Sequence, residues 1–178
     1  MDHRLGRVLI SQAEITERVR ELGSAVAQDY AGCEPLVVGV LKGAVVFLAD
    51  LIRAAEIPVT VDFIGVSSYG TSSRSSGVVK ITSDLSVSIE DRHVLLVEDI
   101  IDTGRTINYL RRNLQTRHPR SLKLCALLDK AERRAEEVAI DYLGFSIPNH
   151  FVVGYGLDFG GLYRNLGYIA VLETEPSA

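Results

Sequence analysis

The sequence predicts an α/β fold in which helices flank a central, mostly parallel β-sheet. Short apolar runs without polar interruption, such as Leu36–Leu41 and residues 93–97, are typical of strands that are buried on both faces. These runs alternate with segments of helical periodicity, and the alternation indicates βαβ units. The chain has 178 residues, which corresponds to one domain because domains usually contain about 100–200 residues.

Local patterns place the elements along the chain. Ser11 and Glu14 form a capping box, and apolar residues at helical spacing follow, so a helix is predicted from this point. Residues 59–66 are rich in β-branched side chains, which favour a strand. The other predicted elements, in chain order, are a helix at 43–55, a strand at 78–82, a helix at 106–114, and strands at 122–128, 139–142, 151–155 and 168–172.

Composition excludes several function classes. The net charge of −4 gives no support to a general binder of nucleic acid or membrane surfaces, which would usually be basic. The chain has no CxxC pair, so a thiolate metal site is excluded, and its two lone cysteines fit a reducing cytoplasm. Neither the first ten residues nor the apolar stretch 36–52 has the pattern of a signal peptide or a membrane span. We therefore expect a soluble, intracellular protein.

The segment 94–106 is the most informative part of the chain. In a parallel sheet, ligands bind at the carboxyl ends of strands, and here a buried strand is followed by Glu98 and Asp99. Asp102 and the run 103–106 then lead into a helix; a glycine, two threonines and free backbone N–H groups there would suit an anion. Carboxylates repel phosphate, so the two halves fit a ligand that combines a phosphate with a polyol or a metal ion.

Other interpretations explain this segment less well. A helix N-cap by Asp102 or Thr103 accounts for one acid but not for three. The Asp-Thr-Gly triplet also occurs in aspartic proteases, but those are all-β proteins and a helix follows here. Haloacid-type phosphatases need two aspartates two positions apart, whereas Asp99 and Asp102 are three apart. A Walker A sequence and a complete dinucleotide-binding glycine pattern are both absent from the sequence.

The run 94–106 resembles the signature loop of type I phosphoribosyltransferases, which bind phosphoribosyl pyrophosphate (PRPP). Further motifs, in the order found in the family, extend the resemblance to the hypoxanthine-guanine phosphoribosyltransferases, over about residues 8 to 172. These motifs are Leu41-Lys42-Gly43, Ser68-Tyr69, Leu128-Asp129-Lys130, and the run 151–158 with Arg164.

The resemblance implies one phosphoribosyltransferase domain over residues 1–178. Its core would span about 36–145, a small hood would come from about 1–12 and 146–178, and a mobile loop would span about 67–78. It implies transfer of phosphoribose from PRPP to N9 of hypoxanthine or guanine, with Mg²⁺ as cofactor. The partners would be these small molecules, not nucleic acid or membrane, and the enzyme would be a cytoplasmic homodimer or homotetramer.

The resemblance also implies roles for individual residues around PRPP. Asp102 would be the general base that acts at purine N7. The groups that bind the ribose and the 5′-phosphate would be Glu98, Asp99, Asp102, Thr103, Gly104, Arg105 and Thr106. Pyrophosphate would be bound by Lys42, Gly43 and Arg164. Magnesium would be held by Glu98, Asp99 and Asp158.

The remaining implied roles concern the purine and the closing loop. Lys130 would donate to the 6-oxo group, Phe151 would stack on the base, Val152 would offer backbone groups, and Asp158 would lie near the 2-position. Ser68 and Tyr69 would close over the site. Residues 132–134, a glutamate and two arginines, have the composition of a solvated turn.

Two questions stay open on sequence alone. A regulator on the same fold that senses PRPP and binds RNA or DNA is the rival from another class, although the chain is acidic. Among bases, a lysine donor argues against adenine, which presents an amino group at position 6. Specificity for xanthine or uracil depends on the geometry of the pocket, so it is not readable from the sequence, and neither is the preference among hypoxanthine, guanine and xanthine.

Overall fold

The computed structural model describes residues 3–68 and 79–174. The helices are α1 (Gln12–Asp29), α2 (Val45–Ala55) and α3 (Arg105–Gln115), with a 3₁₀ turn at Ala131–Arg133. The strands in chain order are β1 (His3–Ile10), β2 (Leu36–Leu41), β3 (Thr60–Ser68), β4 (Val79–Ser83), β5 (His93–Ile101), β6 (Ser121–Asp129), β7 (Tyr142–Ser146), β8 (Val152–Val153) and β9 (Ile169–Thr174).

Six strands form the central sheet in the order β4-β3-β2-β5-β6-β7. All neighbours are parallel except β4, which runs antiparallel to β3. The predicted mostly parallel sheet is therefore confirmed. The chain moves outward in opposite directions from the adjacent strands β2 and β5, so the strand order reverses between them. A crevice at the carboxyl ends of these two strands is the expected place for a ligand.

The sheet is buried on both faces because successive side chains of its central strands enter different cores. In β5, Leu95 packs in one cluster with α1 and α2, whereas Val94 and Leu96 pack in the other with α3. Strands buried in this way show no polar alternation, which explains the continuous apolar runs in the sequence.

A second sheet has three antiparallel strands in the order β1-β9-β8. It brings the two ends of the described chain together, since β1 pairs with β9. The expected division into core and hood was inferred from the resemblance and stays a prediction.

Several predicted boundaries were wrong. β5 continues to Ile101, because its residues keep pairing with β6 up to the Ile101–Asp129 pair, so Glu98 and Asp99 lie in the strand and not in a turn. The strand expected at 139–142 begins only at Tyr142. β8 has two residues where five were expected, because Gly154 and Tyr155 adopt positive φ angles of 104° and 49°.

The capping box at the start of α1 is present as predicted. The Ser11 hydroxyl accepts a hydrogen bond from the Glu14 amide at 3.3 Å, and the Glu14 carboxylate accepts one from the Ser11 amide at 2.8 Å. Further along α1, Arg18 donates to the backbone carbonyls of Leu143 and Gly144 at 2.7 and 3.0 Å. These carbonyls belong to β7, the edge strand of the central sheet, so α1 is fixed to that edge.

None of the helices in the described ranges 3–68 and 79–174 has the length and apolar character needed to cross a membrane.

Candidate active site

Two adjoining cavities lie at the carboxyl ends of β2, β5 and β6. The first has a volume of about 320 Å³ and is lined by the loops after β2 and β5. The second has about 490 Å³ and is lined by the loop after β6 and by the segment around β8. Asp99, Ile100, Asp102 and Asp158 line both cavities. A ligand with two connected parts can therefore occupy both at once.

The acidic pair at the end of β5 forms the floor of the first cavity. Glu98 is buried, with 8% of its surface exposed, and the Asp99 carboxylate accepts a hydrogen bond from the Ile100 amide at 2.7 Å. Burial and the neighbouring Asp99 carboxylate raise the pKa of Glu98 well above its ordinary value. Burial also raises the pKa of Asp99. Ligand hydroxyls or a cation that met these oxygens would relieve that desolvation.

The turn after β5 has the geometry of an anion site. Gly104 caps α3 with a φ of 86°, and a Cβ at this position would lie 2.5 Å from the Glu136 carbonyl oxygen. Only glycine fits there. Thr103, Gly104 and Thr106 line the first cavity, next to the first turn of α3, where backbone N–H groups lack helical partners. Arg105, by contrast, is exposed and lines neither cavity.

The loop after β2 closes the other wall of the first cavity. The Leu41–Lys42 peptide bond is cis, and Lys42 and Gly43 both line the cavity. A Cβ on Gly43 would overlap the Asp99 carboxylate, so glycine allows the backbone of this loop to approach β5.

Asp102 lies where the two cavities meet. The Arg133 Nε lies 2.9 Å from Asp102 Oδ1, but not in a hydrogen-bonding orientation. Oδ1 itself is buried and has no hydrogen bond among the described residues, and the Arg133 guanidinium compensates its charge. The Asp102 side chain as a whole is 43% exposed, so part of this residue faces the cavities.

The second cavity has an apolar wall and a buried cation. Lys130 is 8% exposed, and burial lowers the pKa of its ammonium group. Phe151 is 53% exposed and makes an edge-to-face contact with Phe159 at 5.6 Å between ring centroids. Val152 is buried beside it. A flat, polar ring would fit between these groups.

Asp158 and Arg164 lie next to each other at the boundary of the cavities. Arg164 Nη2 is 2.6 Å from Asp158 Oδ1, and its Nη1 donates to the Gly156 carbonyl at 2.6 Å. Glu98 and Asp99 line the same cavity as Asp158, but residues 3–68 and 79–174 contain no cluster of three acidic, His or Cys side chains arranged to hold a metal ion by themselves.

Of the residues expected to close over the site, Tyr69 lies outside the described residues, as does most of the loop 67–78. Ser68 is the last residue of β3.

Sequence reasoning missed the role of the segment after β6. Residues 132–134 were interpreted as a solvated turn, but Arg133 lines the second cavity and Arg134 is largely buried, with 16% of its side chain exposed. Asn149 also lines the second cavity and was not singled out. One signal was available: Asp129 ends a buried strand, and a carboxylate in that position needs a cation nearby.

The family of the chain follows from comparison with known proteins. The model of the phosphoribosyl transferase domain family matches residues 11–160, which include α1, the central sheet and the residues that line the two cavities except Arg164. The chain therefore belongs to the phosphoribosyltransferase family.

Its relatives narrow the class to hypoxanthine-guanine phosphoribosyltransferases. The enzyme of that name from Bacillus subtilis is 48% identical over 97% of this chain and 96% of its own length. The bifunctional protein TilS/HprT of Listeria monocytogenes is 50% identical over 98% of this chain, which spans only 27% of that relative. A crystal structure of a hypoxanthine phosphoribosyltransferase from Staphylococcus aureus superimposes with a TM-score of 0.91 at 43% identity, over 95% of this chain and 92% of the other.

Proposed function

We propose that the chain is a purine salvage enzyme that transfers phosphoribose from PRPP to N9 of hypoxanthine or guanine and releases pyrophosphate. The products would be IMP or GMP. The observation that carries the proposal is the meeting of two cavities at Asp102, one with an anion-binding turn and the other with a buried lysine. A sugar phosphate and a 6-oxopurine would then face each other across that carboxylate.

The first cavity suits the donor. The N–H groups at the start of α3 and the hydroxyls of Thr103 and Thr106 would hold the 5′-phosphate. Glu98 and Asp99 would accept hydrogen bonds from the ribose hydroxyls, which exchange water for fixed partners. Both effects orient the anomeric carbon toward the second cavity before reaction.

The second cavity suits a 6-oxopurine. Lys130 would donate to the 6-oxo oxygen, while an adenine amino group would meet a second donor and leave both unpaired. Phe151 would stack on the ring, Val152 would present backbone groups to its edge, and Asp158 would lie near the 2-position. The half-exposed ring of Phe151 supports this role, because a core side chain would be covered.

Asp102 would act as the general base at purine N7. As the nucleophilic nitrogen forms its bond to the sugar, the ring must lose a proton, and the Asp102 side chain is 43% exposed where the two cavities meet. A positioned base of this kind contributes about 10²–10⁴-fold to the rate.

The departing pyrophosphate would be held by Lys42, Gly43 and Arg164. Charge develops on the leaving group in the transition state, so cations and backbone N–H groups aimed at it lower the barrier. A guanidinium fork suits phosphate oxygens, and Arg164 would exchange its bond to Asp158 for them.

Magnesium fits this arrangement. Mg²⁺ usually keeps several waters and binds one or two carboxylates together with substrate phosphates, so it needs no cage of three side chains. Glu98, Asp99 and Asp158 line the cavity beside the expected donor site, and they would hold the ion through such contacts. Bound there, Mg²⁺ would neutralise the pyrophosphate charge.

Three further parts of the proposal rest on the resemblance and on composition. Ser68 and Tyr69 would close the loop 67–78 over the reactants and exclude water. Arg105 would contribute charge near the 5′-phosphate although its side chain is exposed. Both cysteines are free, as expected in the reducing cytoplasm where we place the enzyme, as a homodimer or homotetramer.

A spectrophotometric assay with PRPP, magnesium and one purine at a time tests the function. We expect turnover with hypoxanthine and guanine and none with adenine; the rate with xanthine is left to the measurement. Lack of turnover with every purine would contradict the proposal. If such an inactive protein instead gave a salt-dependent gel shift with RNA or DNA, this would support the alternative of a nucleic-acid-binding regulator.

A further inference from the structure

The backbone of the anion-binding turn is held from outside by the segment that follows β6. The Asp102 carbonyl accepts a hydrogen bond from Arg134 Nη1 at 3.0 Å. The Thr103 carbonyl accepts two, from the amides of Ala135 and Glu136 at 2.9 and 3.1 Å. Two successive carbonyls of the turn therefore point away from the cavity.

This orientation fixes the direction of the N–H groups. A trans peptide unit is planar, and its carbonyl and N–H point to opposite sides. When the Asp102 carbonyl is held outward, the Thr103 N–H is directed inward, and the Thr103 carbonyl directs the Gly104 N–H in the same way. The anion-binding donors of the turn are thus set by contacts on its outer side.

Arg134 holds the backbone of the turn through a charged group, whereas the neighbouring Arg133 pairs with the side chain of Asp102. Its second nitrogen, Nη2, pairs with the Asp129 carboxylate at the end of β6. The two side chains are only 16% and 12% exposed. The stem of Arg134 also covers Gly104, where its Cδ lies 3.3 Å from the place that a Cβ would take.

The geometry needs a guanidinium at this position. A planar fork can bridge a carbonyl and a carboxylate with two separate nitrogens, whereas a lysine has one point charge and no fixed fork. Since the pair is largely removed from water, loss of either partner would leave a charge without compensation. The pair therefore resists small displacements of the turn.

We infer that Arg134, held by Asp129, is a positioning residue of the active site. It sets the Asp102–Thr103 peptide so that the turn presents its N–H groups to the 5′-phosphate of PRPP and keeps the Asp102 side chain at the purine. The inference rests on the proposed function, because it names the group that the turn receives. Misplacement of about 1 Å at such a site can cost on the order of 10²-fold in rate.

The test is the variant Arg134→Lys, with steady-state kinetics in both substrates and calorimetric titration of PRPP. We expect kcat/KM for PRPP to fall by roughly 10- to 100-fold, with a higher KM and a weaker Kd for PRPP. The KM for hypoxanthine should change by less than about threefold, because Lys130, Phe151 and Val152 are untouched. Asp129→Asn should give the same pattern, and it serves alone if the lysine variant does not fold.

The control is Arg117→Lys, which disturbs a more exposed ion pair outside both cavities. In this pair two guanidinium nitrogens donate to the Asp84 carboxylate at 2.8 and 3.0 Å. This variant should lower the melting temperature without changing the KM for PRPP.

A purely structural role for Arg134 would reduce the fraction of active enzyme, which lowers kcat but leaves both KM values and the Kd of PRPP unchanged. That result would overturn the inference. If the unmodified chain binds PRPP but turns over no purine, the proposed function fails while the PRPP titrations still test Arg134. If it does not bind PRPP, both fail.

Discussion

Gly156 offers the sharpest test of how the two walls of the first cavity depend on each other. Its φ is 100°, a region that side-chain-bearing residues rarely adopt. A Cβ there would overlap the carbonyl oxygen of Gly43, in the loop after β2. Gly156 is also bonded to Arg164 through both its amide and its carbonyl. Gly156→Ala should therefore disturb two of the three proposed pyrophosphate-binding residues, Gly43 and Arg164.

The expected magnitude has two parts. Backbone strain at such a φ costs about 1–3 kcal/mol, and in a domain of this size each kcal/mol lowers the melting temperature by roughly 2–4 °C. The overlap with Gly43 adds a displacement, since one of the two backbones must move. If the loop after β2 moves by about 1 Å, kcat/KM for PRPP should fall on the order of 10²-fold.

Gly32→Ala separates the two parts. Gly32 also has a positive φ, 75°, but a Cβ there would meet nothing within 4 Å. This control should lose stability through strain alone and keep the kinetic constants of the unmodified enzyme. Thermal melts and PRPP kinetics on both variants give the comparison. If the two variants had equal melting temperatures and Gly156→Ala kept the KM for PRPP of the unmodified enzyme, the reasoning would be refuted.

Three further predictions concern single side chains. Asp102→Asn should lose about 10²–10⁴-fold in kcat with little change in the KM for PRPP; steady-state rates that match the unmodified enzyme would remove Asp102 as the base. Lys130→Met should lower kcat/KM for hypoxanthine by roughly 10- to 100-fold, because a charged hydrogen bond worth about 1.5–3 kcal/mol is lost, and an undiminished value would place the 6-oxo group elsewhere. Asp62→Asn tests pH dependence: burial acts to raise the pKa of Asp62, but hydrogen bonds from residue 63, Ser86 and Val87 outweigh it and lower that pKa. The ionised Asp62 then stabilises the fold above the unfolded pKa of about 4, and this stabilisation is lost as the pH falls through the folded pKa. Thermal melts of Asp62→Asn should therefore show a loss of about 1–2 kcal/mol in the free energy of unfolding at neutral pH, and this loss should disappear in acid. A loss that does not depend on pH would contradict this.

The elements that packing determines were readable from the sequence. The runs that became β2, β5 and β6 are apolar because the sheet is covered on both faces. The capping box of α1 is a local interaction between Ser11 and Glu14, so it too could be read without the fold.

The elements that backbone conformation determines were not readable. β8 ends after Val153 because the next residues adopt positive φ angles, and Tyr155 gives no sequence signal of this. The prediction of a strand at 139–142 was wrong for a different reason. The Asp141 side chain accepts a hydrogen bond from the Leu124 amide at 2.8 Å, in place of a backbone carbonyl of a neighbouring strand. Side-chain and backbone bonds of this kind depend on neighbours that are distant in sequence.

The site was predictable where one strand supplies several groups and not where segments meet. Glu98, Asp99 and Asp102 follow one another along the chain, and they line the cavities together. Arg134 was misjudged because exposure cannot be read from residue type. Adjacent arginines look equally solvated in a sequence, yet Arg134 is buried by its pairing with Asp129.

The attachment of Arg18 to β7 has a consequence for how copies of this chain can associate. An edge strand with free carbonyls invites another chain to extend the sheet. Here the carbonyls of Leu143 and Gly144 already accept hydrogen bonds from the guanidinium of Arg18. A strand of another chain that paired with β7 would first have to displace this guanidinium. Extension of the central sheet at β7 is therefore disfavoured, and copies of this chain would associate more readily through other surfaces.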